Sequence, residues 1–252
     1  MVKRDTLVRY LDEYLRIGEV KDVSWNGLQF EGTDSVRKVA FAVDAGIETF
    51  EKAAALGAQM VIVHHGHFWG PNNPSLVGWN KARIDVLYRH NLSLYASHLP
   101  LDRHPVVGNN AQLLKLLGAR ITEPFGNYHG TMIGFAGTFA RPRSLTAIEK
   151  TLTTKLNADC IVLPFGRKQI RTMGVVSGGG SQGEFQEAIQ KGLDLYLTGD
   201  STEIYHVARD AGINVIFAGH HATETVGVRA LMDTVGRKLK VGTTFIDIRT
   251  GL

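Results

Sequence analysis

Apolar positions along the chain follow two rhythms. Leu7, Tyr10, Leu11, Tyr14 and Leu15 recur at helical spacing and predict an opening amphipathic helix that ends near Gly18. Val36 to Val43, Met60 to Val63 and Leu92 to Ala96 are short apolar runs, the pattern of buried parallel strands. Helical stretches separate them, Ile47 to Leu56 capped by Gly57 and about Ala82 to Arg89, so the first half reads as βαβ units with right-handed crossovers. Ser24 to Gln29 carries an Asn-Gly turn signal. Gly66 to Asn80, dense in Gly, Pro and Asn, reads as a loop over the strand ends, its Phe68, Trp69 and Trp79 lining a pocket or anchoring the loop.

After the third strand, Pro100 keeps Ser97 to Asp102 from continuing as a regular helix or central strand, which leaves His98 and Asp102 on an irregular turn. A helix from Ala111 to Leu117 closes on Gly118. A strand from Met132 to Ala140 follows, then a helix from Leu145 to Leu156 in which Thr146 and Glu149 resemble a capping box, and a strand around Cys160. From Met173 the chain repeats itself. Phe50 to Gly57 matches Phe185 to Gly192, and Leu92 to His98 corresponds to Asn214 to His220. The same register sets His64-His65 opposite Gly199-Asp200, and a carboxylate stands four residues beyond each later histidine, Asp102 in one half and Glu224 in the other. A helix from about Val226 to Arg237 and a strand from Thr243 to Ile248 end the pattern. The expectation is an α/β fold of two similar halves, residues 1–126 and 127–252, arisen by internal duplication, with mixed sheets flanked by helices and a site in the cleft between them.

Composition narrows the function classes. A chain of 252 residues, 44% apolar and 21% charged, buries a sizeable core. The net charge of +4 is spread out; the basic stretches Gly166 to Arg171 and Arg237 to Lys240 are short, which argues against a nucleic-acid partner. Cys160, the single cysteine, reads as a buried small hydrophobe and permits no disulfide within the chain. No signal-peptide pattern or membrane-length apolar run is present, so a cytoplasmic protein without membrane association is expected.

The chemistry gathers at strand ends. Val61-Ile62-Val63 runs into His64-His65-Gly66, the edge at which open α/β sheets place their chemistry. Alone, two histidines there read as hydrogen-bonded polar residues, and adjacent positions on a strand point to opposite sides. With the halves facing each other, however, His64, His65, Asp102, His220 and Glu224 converge. Three imidazoles and two carboxylates exceed one tetrahedral zinc site and suit two divalent ions bridged by a carboxylate, a device that acidifies water for hydrolysis. With no thiolate among them, the donors suit zinc, iron, manganese, cobalt or nickel. Gly178, Gly180 and Gly183 also fit a dinucleotide fingerprint, with Asp200 where a ribose-binding acid belongs. The first half carries Asp44-Ala45-Gly46 at that place, so an amide nest for an anion, or a plain tight turn, fits better.

Val63 to Trp69, Ser97 to Asp102 with Gly108-Asn109-Asn110, Ser177 to Gly180, Ala218 to Glu224 and Asn26 to Gln29 together resemble the Nif-three-like dinuclear-metal-centre family, catalogued as GTP cyclohydrolase I type 2 homologues, in its short form. The resemblance covers essentially the whole chain. It implies metal ligands at His64, His65, Asp102, His220 and Glu224, with Glu224 bridging, and His98 close by in an orienting or proton-transfer role. It leaves His67 outside the ligand set. It further implies a ring-shaped homohexamer and a metal-dependent hydrolase acting on a small molecule, a nucleotide-like or phosphoester substrate. The rival reading is a non-catalytic, oligomeric metal-binding or interaction scaffold.

Overall fold

The computed structural model describes residues 1–251, and the chain divides into two compact units. Met1–Leu101 and Val228–Ile248 make the first, and Asp102–Gly227 with the chain from Arg249 makes the second. The expected division at residue 126 falls inside a strand of the second unit, and the last strand of the chain belongs to the first.

The first unit opens with β1 (Val2–Lys3) and α1 (Arg4–Leu15), whose Leu7, Leu11 and Leu15 form the buried stripe that the spacing predicts. β2 (Gly27–Phe30), β3 (Ser35–Val36) and β4 (Lys38–Asp44) follow, then α2 (Ile47–Ala55), β5 (Met60–His65), α3 (Gly78–Arg89) and β6 (Ser93–Ala96). Single helical turn α4 (Leu99–Asp102) stands where an irregular turn was expected. Pro100 fits there, because the first turn of a helix has no intrahelical use for the missing N–H. β4, β5 and β6 are neighbours and parallel, and β2 closes the far edge antiparallel to β6. Asp44 pairs with His65 and Val63 with Ala96, so these strands end together. The core beneath gathers Val61, Val63, Leu94 and Phe50.

In the second unit, α5 (Asn109–Leu117) precedes the long antiparallel pair β7 (Arg120–Tyr128) and β8 (Thr131–Ser144). After α6 (Leu145–Leu152) and β9 (Ile161–Pro164) come β10 (Gln169–Val176), α7 (Gln182–Gln190), β11 (Leu195–Thr198), α8 (Tyr205–Ala211) and β12 (Asn214–Phe217). β10, β11 and β12 are parallel neighbours with β9 antiparallel at the edge, the arrangement of β4, β5, β6 and β2 over again. Phe50 and Phe185, matched in the repeat, are both buried. Ser144 rather than Thr146 caps α6, accepting from Ala147 N. Cys160 is half-buried at the margin of the core, with Thr153 Oγ1 at 3.6 Å from its sulfur. α9 (His220–Leu239) passes from the second unit's sequence into the first's, and β13 (Gly242–Phe245) pairs parallel to β4. Among the described residues no helix is long and apolar enough to cross a membrane.

Candidate metal centre

Strand β5 delivers His64 and His65 to the carboxyl edge of the first sheet, and the turn after β6 delivers His98. His64 is buried and the other two half-buried, with one ring nitrogen from each lying within 4.8 Å of the others. Strict alternation would send the first two apart, yet their ring centroids are 4.6 Å from each other. Their anchors account for this at a strand end: His64 Nδ1 reaches Ser97 O at 2.9 Å, and His65 Nδ1 reaches Asp44 Oδ1 at 2.8 Å. His98 Nδ1 meets both oxygens of Asp22, at 3.0 and 3.1 Å. A carbonyl or a carboxylate only accepts, so each Nδ1 carries the proton and each Nε2 presents its lone pair.

Asp22 escaped the sequence reading because it stands alone between apolar and polar neighbours in a loop, with no spacing signal. Beyond His98 it accepts from Ser24 N at 3.0 Å, Asn26 Nδ2 at 2.9 Å and Leu99 N at 3.0 Å. Burial alone would raise its pKa; the bond and charge of His98, with the other donors, more than reverse this and hold it at about 2. Asn26, read as part of a turn, also accepts from His98 N through Oδ1 at 2.7 Å. Gln29, on the edge strand β2, accepts from His67 N at 2.7 Å and so fixes the chain just past the histidines.

The second unit carries the carboxylates. His220 and Glu224 stand one turn apart on α9, with Nε2 to Oε1 at 3.2 Å, while His220 Nδ1 is held by Asp200 Oδ2 at 2.8 Å. Asp200 is therefore the anchor of an imidazole and not a ribose-binding acid. Asp102 is buried and accepts from Asn109 Nδ2 at 2.8 Å and Ser177 Oγ at 3.0 Å. Asn109 in turn accepts from Gly227 N on α9 at 2.9 Å, which ties Asp102 to the helix that bears Glu224.

Of the readings offered by its sequence, the glycine-rich run fits the plain tight turn. Gly178 N donates to Thr223 Oγ1, Gly180 N to Thr198 Oγ1, Ser181 N to Glu184 Oε2 and Gly183 N to Ser181 Oγ. With these amides engaged, an anion nest is not formed. What the turn supplies is room: at Gly178, φ +63°, a Cβ would collide with Glu224 Oε1 and stand 3.0 Å from His220 Nε2. The donor set thus fits divalent metal: nitrogen lone pairs fixed by their Nδ1 anchors, buried carboxylates, and a cradle cleared of side chain beside them.

Burial pulls the pKa of His220 down, but Glu224 and Asp200 outweigh it and push it up to about 9. In metal-free protein this raised value stabilises the fold fully below the ordinary value of 6.5, and the contribution is lost as pH rises through about 9. Thermal melts of metal-free protein are expected to fall across that window, and His220→Gln to flatten the fall.

The sequence profile of the Duf34/NIF3 (NGG1p interacting factor 3) family matches residues 2–251. The chain belongs to this family. Proteins called GTP cyclohydrolase 1 type 2 homolog are similar to it over nearly all of both chains: one from Archaeoglobus fulgidus is 46% identical over 247 residues, covering 98% of each, and one from Pyrococcus horikoshii 48% over 251 residues, covering 99% of each. Among solved structures, the protein ybgI, described as of unknown function, superposes with a TM-score of 0.92 at 33% identity over 100% of both chains. A Thermus thermophilus protein gives 0.89 at 38% identity, again over 100% of both. The Duf34/NIF3 assignment and the mixed α/β architecture agree with the resemblance read from the motifs.

Proposed function

We infer that this Duf34/NIF3 protein is a metal-dependent hydrolase whose His64, His65, Asp102, His220 and Glu224 would hold two divalent ions. The observation that carries the reading is the anchoring of imidazoles on both units: His64, His65 and His220 each commit Nδ1 to an obligate acceptor, the arrangement that prepares histidine Nε2 for metal. When bound, such ions supply Lewis acidity and a nucleophile at neutral pH. The mixed donors suit zinc, iron, manganese, cobalt or nickel. His98, oriented by Asp22, holds and moves a proton at Nε2. Asp102 and Glu224 bring the negative charge that a dication requires, and Asn109 and Ser177 keep Asp102 from turning away. The substrate class that agrees with the names of the relatives is nucleotide-like or phosphoester. The assembly implied by the motif resemblance, a homohexameric ring in the cytoplasm, goes with the same reading and is checked by sedimentation.

Elemental analysis of freshly purified protein tests the centre. About two ions per chain are expected in the wild type, and far fewer in His64→Ala and Glu224→Ala once circular dichroism shows all of them folded. A wild type that neither contains nor takes up divalent metal overturns the reading. Metal without turnover of nucleotides or phosphoesters, followed as release of formate or phosphate, assigns the chain to the non-catalytic scaffold instead.

A further inference from the structure

Beside the histidines of the first unit, the loop after β5 and the segment before β2 enclose a cavity of about 920 Å³. Trp25, Trp69 and Trp79, the only tryptophans of the chain, all line it, together with Phe68, His67 and Asn72. No Asp, Glu, Lys or Arg is among its lining residues. Trp25 and Trp79 are 67% and 64% exposed, and their indole N–H groups make no hydrogen bond among the described residues. Arg83 lies over Trp79 at 5.0 Å and steadies that ring. Trp69 is fixed by its own bond to Gly66 O at 2.8 Å and lies 4.9 Å from the His98 ring and 6.0 Å from the His65 ring, between ring centroids.

His67 is the second observation. It lies in the loop after β5, yet it is 7% exposed and its buried Nδ1 has no hydrogen-bond partner among the described residues. A buried polar atom left so costs free energy that a ligand's in-plane donor or acceptor would recover. Pockets of this size, largely apolar with a few placed polar groups, are the usual form of a small-molecule site.

We propose that this cavity binds the uncharged planar heteroaromatic ring of a ligand, of nucleobase size, with the indoles stacking on its faces and His67 Nδ1 meeting its edge. Trp69, shared between the cavity and the histidines, brings the bound ring alongside His65 and His98. This names the ring-bearing part of the substrate of the metal centre and rests on that reading only for what the ring is held for.

The full chain carries its own reporter, since every tryptophan lines the cavity. Adenosine, guanosine, cytidine and uridine are titrated into the protein, with ribose as the ring-free control, and emission is excited on the red edge of the indole band. At least one nucleoside is expected to give saturable quenching, ribose none, and the same response should persist in metal-free protein and in His64→Ala. Loss of one stacking face in Trp79→Leu should weaken the apparent affinity about fivefold or more, as base–aromatic stacking of about 1–3 kcal/mol implies. His67→Phe, which keeps an aromatic ring and removes the edge partner, should weaken it as well. The proposal is overturned if no nucleoside saturates the signal, if ribose quenches equally, or if emission follows protein concentration alone, as a contact between copies of the chain would require. Quenching in a protein that takes up no metal would leave the pocket standing while the hydrolase reading fell; metal and turnover without quenching would do the reverse.

Discussion

Gly178→Ala is expected to strip the protein of metal and to destabilise it by roughly 2–4 kcal/mol. The added methyl would collide with Glu224 Oε1 and approach Glu224 Cδ to 3.1 Å, and Glu224, 2% exposed, is enclosed by its surroundings. The backbone adds its own penalty, since φ at this position is +63° and an L side chain there costs about 1–2 kcal/mol. Gly183→Ala is the matched control. It lies in the same glycine-rich run, its φ is not in the left-handed region, and its added methyl would meet only Ser181 Oγ at 3.4 Å. Urea unfolding and metal content measured on both variants decide the matter: equal behaviour of the two would mean that the turn does not clear the cradle.

The next largest effect is expected from Asp22. Removing the carboxylate in Asp22→Ala leaves the Ser24 and Leu99 amides and His98 without their acceptor and the Asn26 amide with only Ser24 O, a loss of roughly 3–5 kcal/mol by analogy with other broken buried pairs. The sign of its pH dependence follows from a folded pKa depressed from 3.8 to about 2. Its contribution, roughly 2 kcal/mol, is present above the unfolded value and is lost as pH falls through about 2. Acid unfolding of the wild type should therefore steepen in that window and that of Asp22→Ala should not. Asp22→Asn separates structure from chemistry, because an amide keeps the shape and one acceptor oxygen but loses the charge that would support a protonated His98. If His98 moves a proton, turnover should drop about 10²- to 10⁴-fold in this variant with far less loss of stability. Equal losses in both quantities would make Asp22 a structural residue only.

Much of the scaffold was legible because duplication amplifies weak signals. The match of Phe50 to Phe185 and of His98 to His220 holds in space, each phenylalanine buried in a helix between parallel strands and each histidine following the third of them. What escaped notice has physical reasons. β2 is a short edge strand whose Asn-Gly neighbour speaks for a turn, and β7 contains Pro124 and alternates too weakly to announce a strand. The return of the last strand to the first unit carried no signal, because chain order says nothing of where β13 pairs. Among the site residues, His64, His65 and His98 stand together in one unit, and His220 and Glu224 do so in the other. Their anchors Asp22, Asp44 and Asp200 were not read as such, since a residue that serves another through one hydrogen bond carries no period of its own. The glycine-rich run left its role open for a related reason: a fingerprint records where side chains are missing and not what occupies the space instead.

The pairing of β13 with β4 fixes the order in which the chain can finish folding during synthesis. The second unit is written almost in one stretch, Asp102–Gly227, and all the strands of its sheet have left the ribosome by Phe217. The first unit begins earlier yet waits longer, because β4 keeps one edge of Val39, Ala40 and Phe41 unpaired until Gly242–Phe245 emerges. For the whole of that interval the nascent protein carries an open apolar strand edge, the feature most prone to pair with a neighbouring chain. The part made first is the part completed last, and its exposure to misassembly is set by the time taken to translate everything in between.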